Sequence, residues 1–175
     1  MSGGGCPAIV AVAEGKYSHY HCFVAHAGRE SVLDRRRILG EGPSREHEGV
    51  VFALAEEFRG RGIHLRDVAL FSFFALEGGT FGHPHEHPVH KVYNRRMSAE
   101  VLHRWQGAIT MGHEGPDECG YLDIGKLIEL QAGELGFGKV HITGTLTHNG
   151  PFAHTRHANP NMRKERNLVV VCRQT

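Results

Sequence analysis

The stretch SREHEGVVFALAEEFRGRGIHLRDVALFSFFAL, residues 44–76, decides the fold class. Its first part has a helical period, with Val50, Val51, Leu54 and Phe58 on one face. Ser44 is placed to cap this helix, Glu46 and Glu48 favour its positive end, and Gly60 and Gly62 stop it. DVALFSFFAL (67–76) is a nearly continuous apolar run, which predicts a strand buried on both faces. Upstream, PAIVAVAE (7–14) reads as a buried strand. YSHYHCFVAHAG (17–28) reads as a second, with Tyr20, Cys22 and Val24 on one face and His19, His21 and Phe23 on the other. Strand, helix and strand in succession predict a mixed α/β fold: one domain over 1–175, a sheet with about three packed helices.

Working outward, SVLDRRRILGEGP (31–43) reads as a short strand or an irregular connection. SAEVLHRWQGAI (98–109) is a helix capped by Ser98, with Val101, Leu102 and Trp105 inward. MGHEGPDECGY (111–121) is a loop, and DIGKLIELQAGELGF (123–137) a third helix capped by Asp123 with Leu127, Ile128 and Leu135 as core. KVHITGTL (139–146) and NLVVVC (167–172) are strands. The chain has 175 residues and a net charge of +1, enough for a sizeable core and without a bulk pull toward nucleic acid. The basic runs DRRR (34–37) and RKER (163–166) read as solvated faces or holders of an anionic group. No apolar run is long enough to span a membrane, and no secretory signal opens the chain. Four scattered cysteines predict free thiols and a cytoplasmic protein.

Histidine is the outlier, at 15 residues. FGHPHEHPVH (81–90) holds four of them, and Pro84 and Pro88 exclude it from a central strand. THNGPFAHTRHANPN (147–161) is the second dense stretch. Both follow strands, so they can meet at one end of the sheet, where open α/β sheets bind ligands. In an extended chain His83, His85 and His87 would point the same way, about 6.5–7 Å apart, and two such imidazoles can share a zinc. Cys6 and Cys22 are candidate thiolate ligands, whereas Cys119 and Cys172 read as core. In the second stretch His148 and His154 are proton carriers, while Asn149 and Arg156 offer fixed donors. An HNH-type nuclease is disfavoured because its first histidine hairpin and a basic surplus are missing, and a cupin because helices are expected.

The start CPAIVAVAEGKYSHYHCFVAHAGRE (6–30) resembles the metal-site segment of the laccase-domain proteins, also described as multicopper polyphenol oxidase-like or peptidoglycan-editing factor-like. GVVFALAEEFRGRGIHLRDVALF (49–71) resembles the helix and strand that follow there, and YLDIGKLIELQAGELGFGKVHITGTLTHNGPFAHTRH (121–157) the late family motif. The resemblance implies Cys6 and His26 as metal ligands, with Asp123, Thr147, Phe152 and Arg156 at further motif positions. Leu146 stands where the family has a cysteine, and Arg29 follows Gly28 without the family's tryptophan. The family's upstream metal histidine has no counterpart here, so His83, His85, His87 or a partner subunit is expected to supply it. Family members act on purine nucleosides, edit cell-wall precursors or oxidise phenols.

Three functions are therefore expected to compete. The first is a metal-dependent enzyme, with zinc, or else copper or another transition metal, held by Cys6, His26 and a histidine of His83, His85 and His87. A metal-activated water or phosphate would attack a small polar substrate such as a nucleoside or amide, with His148, Asn149, His154 and Arg156 in support. The second is a metal-free acid–base enzyme, a dehydratase, isomerase or cyclase. The third is a non-catalytic metal- or ligand-binding subunit of a homo-oligomer. The expected partner is a small molecule, with no nucleic acid and no membrane.

Overall fold

The computed structural model describes residues 2–3, 7–15, 19–41, 48–73, 82–143, 167–168 and 171. Strand β1 (Ser2–Gly3) is a two-residue piece. Strands β2 (Ala8–Glu14) and β3 (Tyr20–His26) follow as expected. On β3, Tyr20, Cys22, Val24 and His26 are exposed while His21, Phe23 and Ala25 are half-buried, so the predicted alternation holds. The segment 31–43, expected as a strand or irregular, instead contributes to two short helices, α1 (Arg29–Val32) and α2 (Arg35–Leu39). The reason lies in Asp34, whose carboxylate accepts from the backbone N–H groups of Arg36 and Arg37 and so starts α2.

Helix α3 (Val50–Gly60) buries Val51, Leu54 and Phe58 of the stripe read from sequence together with Ala55, while Val50 is half-buried. Its N-cap is Gly49, with no side-chain cap; the expected cap Ser44 and Glu46 lie outside the described residues. A 3₁₀ turn (Leu65–Asp67) leads to β4 (Val68–Phe73). That strand alternates rather than being buried on both faces: Val68, Leu70 and Ser72 are buried, and Ala69, Phe71 and Phe73 are half-buried. Helix α3 covers the first face, where Phe58 meets Phe23 edge-on at 5.0 Å. Complete burial of a ring such as Phe58 contributes about 1.5–3 kcal/mol.

Strand β5 (Gly82–Pro84) opens a second sheet, and helix α4 (Lys91–Arg104) follows. The helix begins seven residues before the predicted Ser98 cap. Ser98 and Asn94 are buried in its inward stripe with Tyr93, Met97 and Val101, and these polar residues hid the period. Leu102, expected inward, is exposed, whereas Trp105 is buried as expected. The predicted loop 111–121 is a hairpin of β6 (Ile109–Glu114) and β7 (Asp117–Leu122). Glycine, histidine and glutamate weaken its strand signal, and pairing in the second sheet, order β5-β7-β6, overrides that. Helix α5 (Ile124–Leu135) has the expected Asp123 cap, which accepts from Lys126 N–H at 2.7 Å.

Strand β8 (Lys139–Thr143) completes a four-stranded sheet of order β3-β2-β4-β8, and β9 (Asn167–Leu168) pairs with β1. Strand β2 is antiparallel to both neighbours, and β8 is parallel to β4. One core joins Ile9, Leu70 and Phe58 to Met97, Trp105, Leu127 and Ile128, so both sheets and the three long helices form a mixed α/β unit. Among the described residues no helix is long and apolar enough to cross a membrane.

Gly49 has φ 124° and ψ 177°, a conformation nearly restricted to glycine, and a Cβ there would lie 2.1 Å from the Val32 carbonyl oxygen. Gly49→Ala is expected to lower stability by at least about 1–3 kcal/mol. Gly60→Ala, with open space around its Cβ, should leave it unchanged or raise it by up to about 1 kcal/mol. Urea unfolding of the two variants checks this contrast.

Candidate functional site

The register places a row of residues across one end of the larger sheet. His26 lies opposite Ala8, Ala8 opposite Phe73, and Phe73 opposite Thr143. Because β4 and β8 are parallel, the chain leaves both strands at this same end. Both histidine-rich stretches therefore follow exits at the end where β3 delivers His26. Ala27 N–H donates to the Pro7 carbonyl at 2.8 Å, which joins the neighbour of His26 to Pro7. Cys6, which precedes Pro7 in sequence, lies outside the described residues. So do His148, Asn149, His154 and Arg156, all within 144–166. The His26 side chain is exposed, and Ser31 Oγ donates to the His26 carbonyl at 3.1 Å.

The histidines of 83–90 take different directions from those alternation predicts. Strand β5 stops at Pro84 on the edge of the second sheet, and a turn over His85–Glu86 breaks the period. His83 is 3% exposed, and its Nδ1 lies 3.0 Å from the Gly120 carbonyl oxygen, so Nδ1 carries the proton. His85 is 8% exposed and uses both ring nitrogens, Nδ1 toward Glu118 Oε2 at 3.3 Å and Nε2 toward Ser98 Oγ at 3.0 Å. Gly120 makes room for this, since a Cβ there would sit 2.3 Å from Ser98 Oγ. His87 Nδ1 accepts from the N–H groups of Val89 and His90, both at 3.1 Å, so its lone pair closes a turn. His83 and His85 thus brace the second sheet and α4. Among the described residues no group of three or more His, Cys, Asp or Glu side chains could hold a metal ion.

Sequence reading missed Arg29, His90, Tyr93 and Asn94, which tie the His26 end to this stretch. Asn94 Nδ2 donates to the Pro84 carbonyl at 2.7 Å, and its Oδ1 lies 3.4 Å from Arg29 Nη1. The Arg29 guanidinium lies over the Tyr93 ring, 5.2 Å from its centroid, and Tyr93 OH donates to the Arg29 carbonyl at 3.2 Å. Burial pushes the Tyr93 phenol well up, so it stays neutral. His90 packs on His87 with ring centroids 4.8 Å apart, and its Nδ1 is buried without a hydrogen-bond partner among the described residues. Burial, and then the charges of Arg29, His87 and Arg35, lower the His90 pKa against the opposing pull of Glu30. The only sequence signals were Arg29 directly after the His26 segment and a polar residue inside a helical stripe.

The other candidates are dispersed. Cys22 is exposed on β3 with its thiol pKa raised by burial. Cys119 is buried as expected, and burial and Glu114 push its thiol up to about 11. The DRRR run is divided: Asp34 caps α2, Arg35 pairs with Glu30 at 2.9 Å, and Arg37 pairs with Glu100 at 2.5 Å.

His85→Ala should cost about 1–3 kcal/mol, because it strands the buried Ser98 hydroxyl; urea titration measures it. His90 imposes a pH dependence of a definite sign. Its folded pKa lies below the ordinary 6.5, so its contribution is complete above that value and is lost as pH falls through the folded pKa. The acid-side loss of stability should be smaller in His90→Asn than in the parent, read from urea midpoints on both sides of that pH.

No protein-family model matches the chain, and no curated protein or solved structure matches it.

Proposed function

We propose that this chain is the core of a metal-dependent enzyme of the laccase-domain type, acting on a small polar substrate such as a nucleoside or amide. The observation that carries the proposal is the sheet-end row: Pro7, which follows Cys6, is bonded to Ala27, which follows His26, and the exits of β4 and β8 lie on the same row. A thiolate and an exposed imidazole form a donor set suited to zinc, with copper or another transition metal as the alternative occupant. His85 does not fit as a ligand, since both of its ring nitrogens face protein partners, and His87 spends its Nδ1 lone pair on the N–H groups of Val89 and His90. The third ligand is drawn from the 144–166 segment or from a partner subunit in a homo-oligomer.

Zinc, when bound, supplies a Lewis acid that activates water or phosphate. The chain's own residues do the rest. His148 and His154 carry protons, Asn149 orients a polar group, and Arg156 holds a carbonyl or anionic group. Free thiols at Cys22 and Cys119 are compatible with work in the cytoplasm. A second reading, metal-free acid–base catalysis, is favoured by one observation: the His90 ring packs on His87, and its buried Nδ1 has no hydrogen-bond partner among the described residues. Activity that survives chelation would select it.

Protein purified without chelator should carry about one zinc, copper, iron or nickel per chain by elemental analysis. Cys6→Ser and His26→Ala should lose it, and His85→Ala should keep it while unfolding more easily. Parent protein without any stoichiometric transition metal would refute the proposal.

A further inference from the structure

Arg29 is a charge held in place but little used. Its side chain is 22% exposed, and among the described residues its polar side-chain contacts, to Asn94 and Glu30, are both 3.4 Å long. Good guanidinium–carboxylate bonds are about 2.7–2.9 Å. The Tyr93 face holds the guanidinium from one side, and Asn94, anchored on Pro84, aligns it from another. A guanidinium so fixed keeps N–H donors for a planar or tetrahedral anion and loses little freedom on binding it.

Two guanidiniums, Arg29 and Arg35, share the carboxylate of Glu30, while the nearby Asp34 carboxylate is taken up by the N–H groups of Arg36 and Arg37. Glu30 Oε1 serves two guanidiniums, and its shorter bond, 2.9 Å, goes to Arg35 rather than to Arg29. Glu86 pairs with Lys91 and Arg95. The first turn of α4 carries no acidic residue. Arg29 also stands only three residues after His26, which lies at the sheet end.

We propose that Arg29, with Arg35 beside it, binds an oxyanion group of the substrate, a carboxylate or a phosphate. That the anion belongs to the substrate rests on the sheet-end reading; binding of the anion itself does not require the metal. Arg29 is thereby a specificity-determining residue, which selects substrates with a negative group over neutral analogues of the same shape.

The test is calorimetric titration of the full chain with inorganic phosphate and, separately, with acetate, at ionic strength fixed by chloride. The parent should bind at least one of them in the millimolar range. Phosphate the tighter indicates a phosphorylated group, and acetate at least as tight indicates a carboxylate. Arg29→Met should weaken binding at least about tenfold, and Arg29→Lys less, because the charge stays and the fork is lost. Glu30→Gln should tighten binding several-fold by removing the competing carboxylate, an effect that a merely structural role for Arg29 would not produce. Equal affinity in the parent, Arg29→Met and Glu30→Gln overturns the proposal, as does no binding of either anion at tens of millimolar. Elemental analysis of the same samples separates the two readings. Arg29→Met should keep its metal, and a metal-free parent that still binds anion through Arg29 removes only the metal enzyme.

Discussion

The parallel pairing of β4 with β8, Phe73 opposite Thr143, is the constraint on which the rest of the structure depends. Parallel neighbours need a long crossover, and here it comprises the second sheet, α4 and α5. It makes both strands run out at one end. Strand β2, antiparallel to both β3 and β4, brings Ala8 and therefore Pro7 to that end, and the β2–β3 pair returns His26 there. Backbone hydrogen bonding in a single sheet thus gathers segments far apart in sequence. Slippage by one residue would turn every inward side chain of β4, Leu70 among them, to the other face.

The histidine-rich stretch shows how a residue type can suggest one role and serve another. His83 and His85 are among the few buried polar residues, and each has a partner for a ring nitrogen. Unpaired, a buried imidazole would cost about 1–3 kcal/mol. Bonded to Gly120, Glu118 and Ser98, these rings instead fasten a short edge strand to its hairpin and to α4. The consequence for function is indirect. The brace holds Pro84, Pro84 anchors Asn94, and Asn94 aligns Arg29.

Much of the larger sheet was legible in the sequence. The apolar runs 7–14 and 67–76, the alternation in 20–26 and the stripe Val51, Leu54 and Phe58 all signal elements through side chains that meet the core. The Asp123 cap was legible because capping is local chemistry. What escaped depends on pairing and on buried polar partners rather than on an apolar pattern. Strands β6 and β7 carry weak strand formers and exist through pairing with each other and β5. The start of α4 was hidden because Asn94 and Ser98 face inward to meet Pro84 and His85. In the candidate site, His26 could be named from its segment, whereas Arg29 gains meaning only from Tyr93 and Asn94, more than sixty residues away.

The proposed site lies at the sheet end, with Cys6 and His26 as ligands, rather than within residues 83–87. A metal-edge anomalous scattering map on crystals of the full chain tests this most directly. One peak bonded to the Cys6 sulfur and a His26 ring nitrogen is expected. A peak held only by His83, His85 or His87, or no peak at the sheet end in metal-replete crystals, would contradict it.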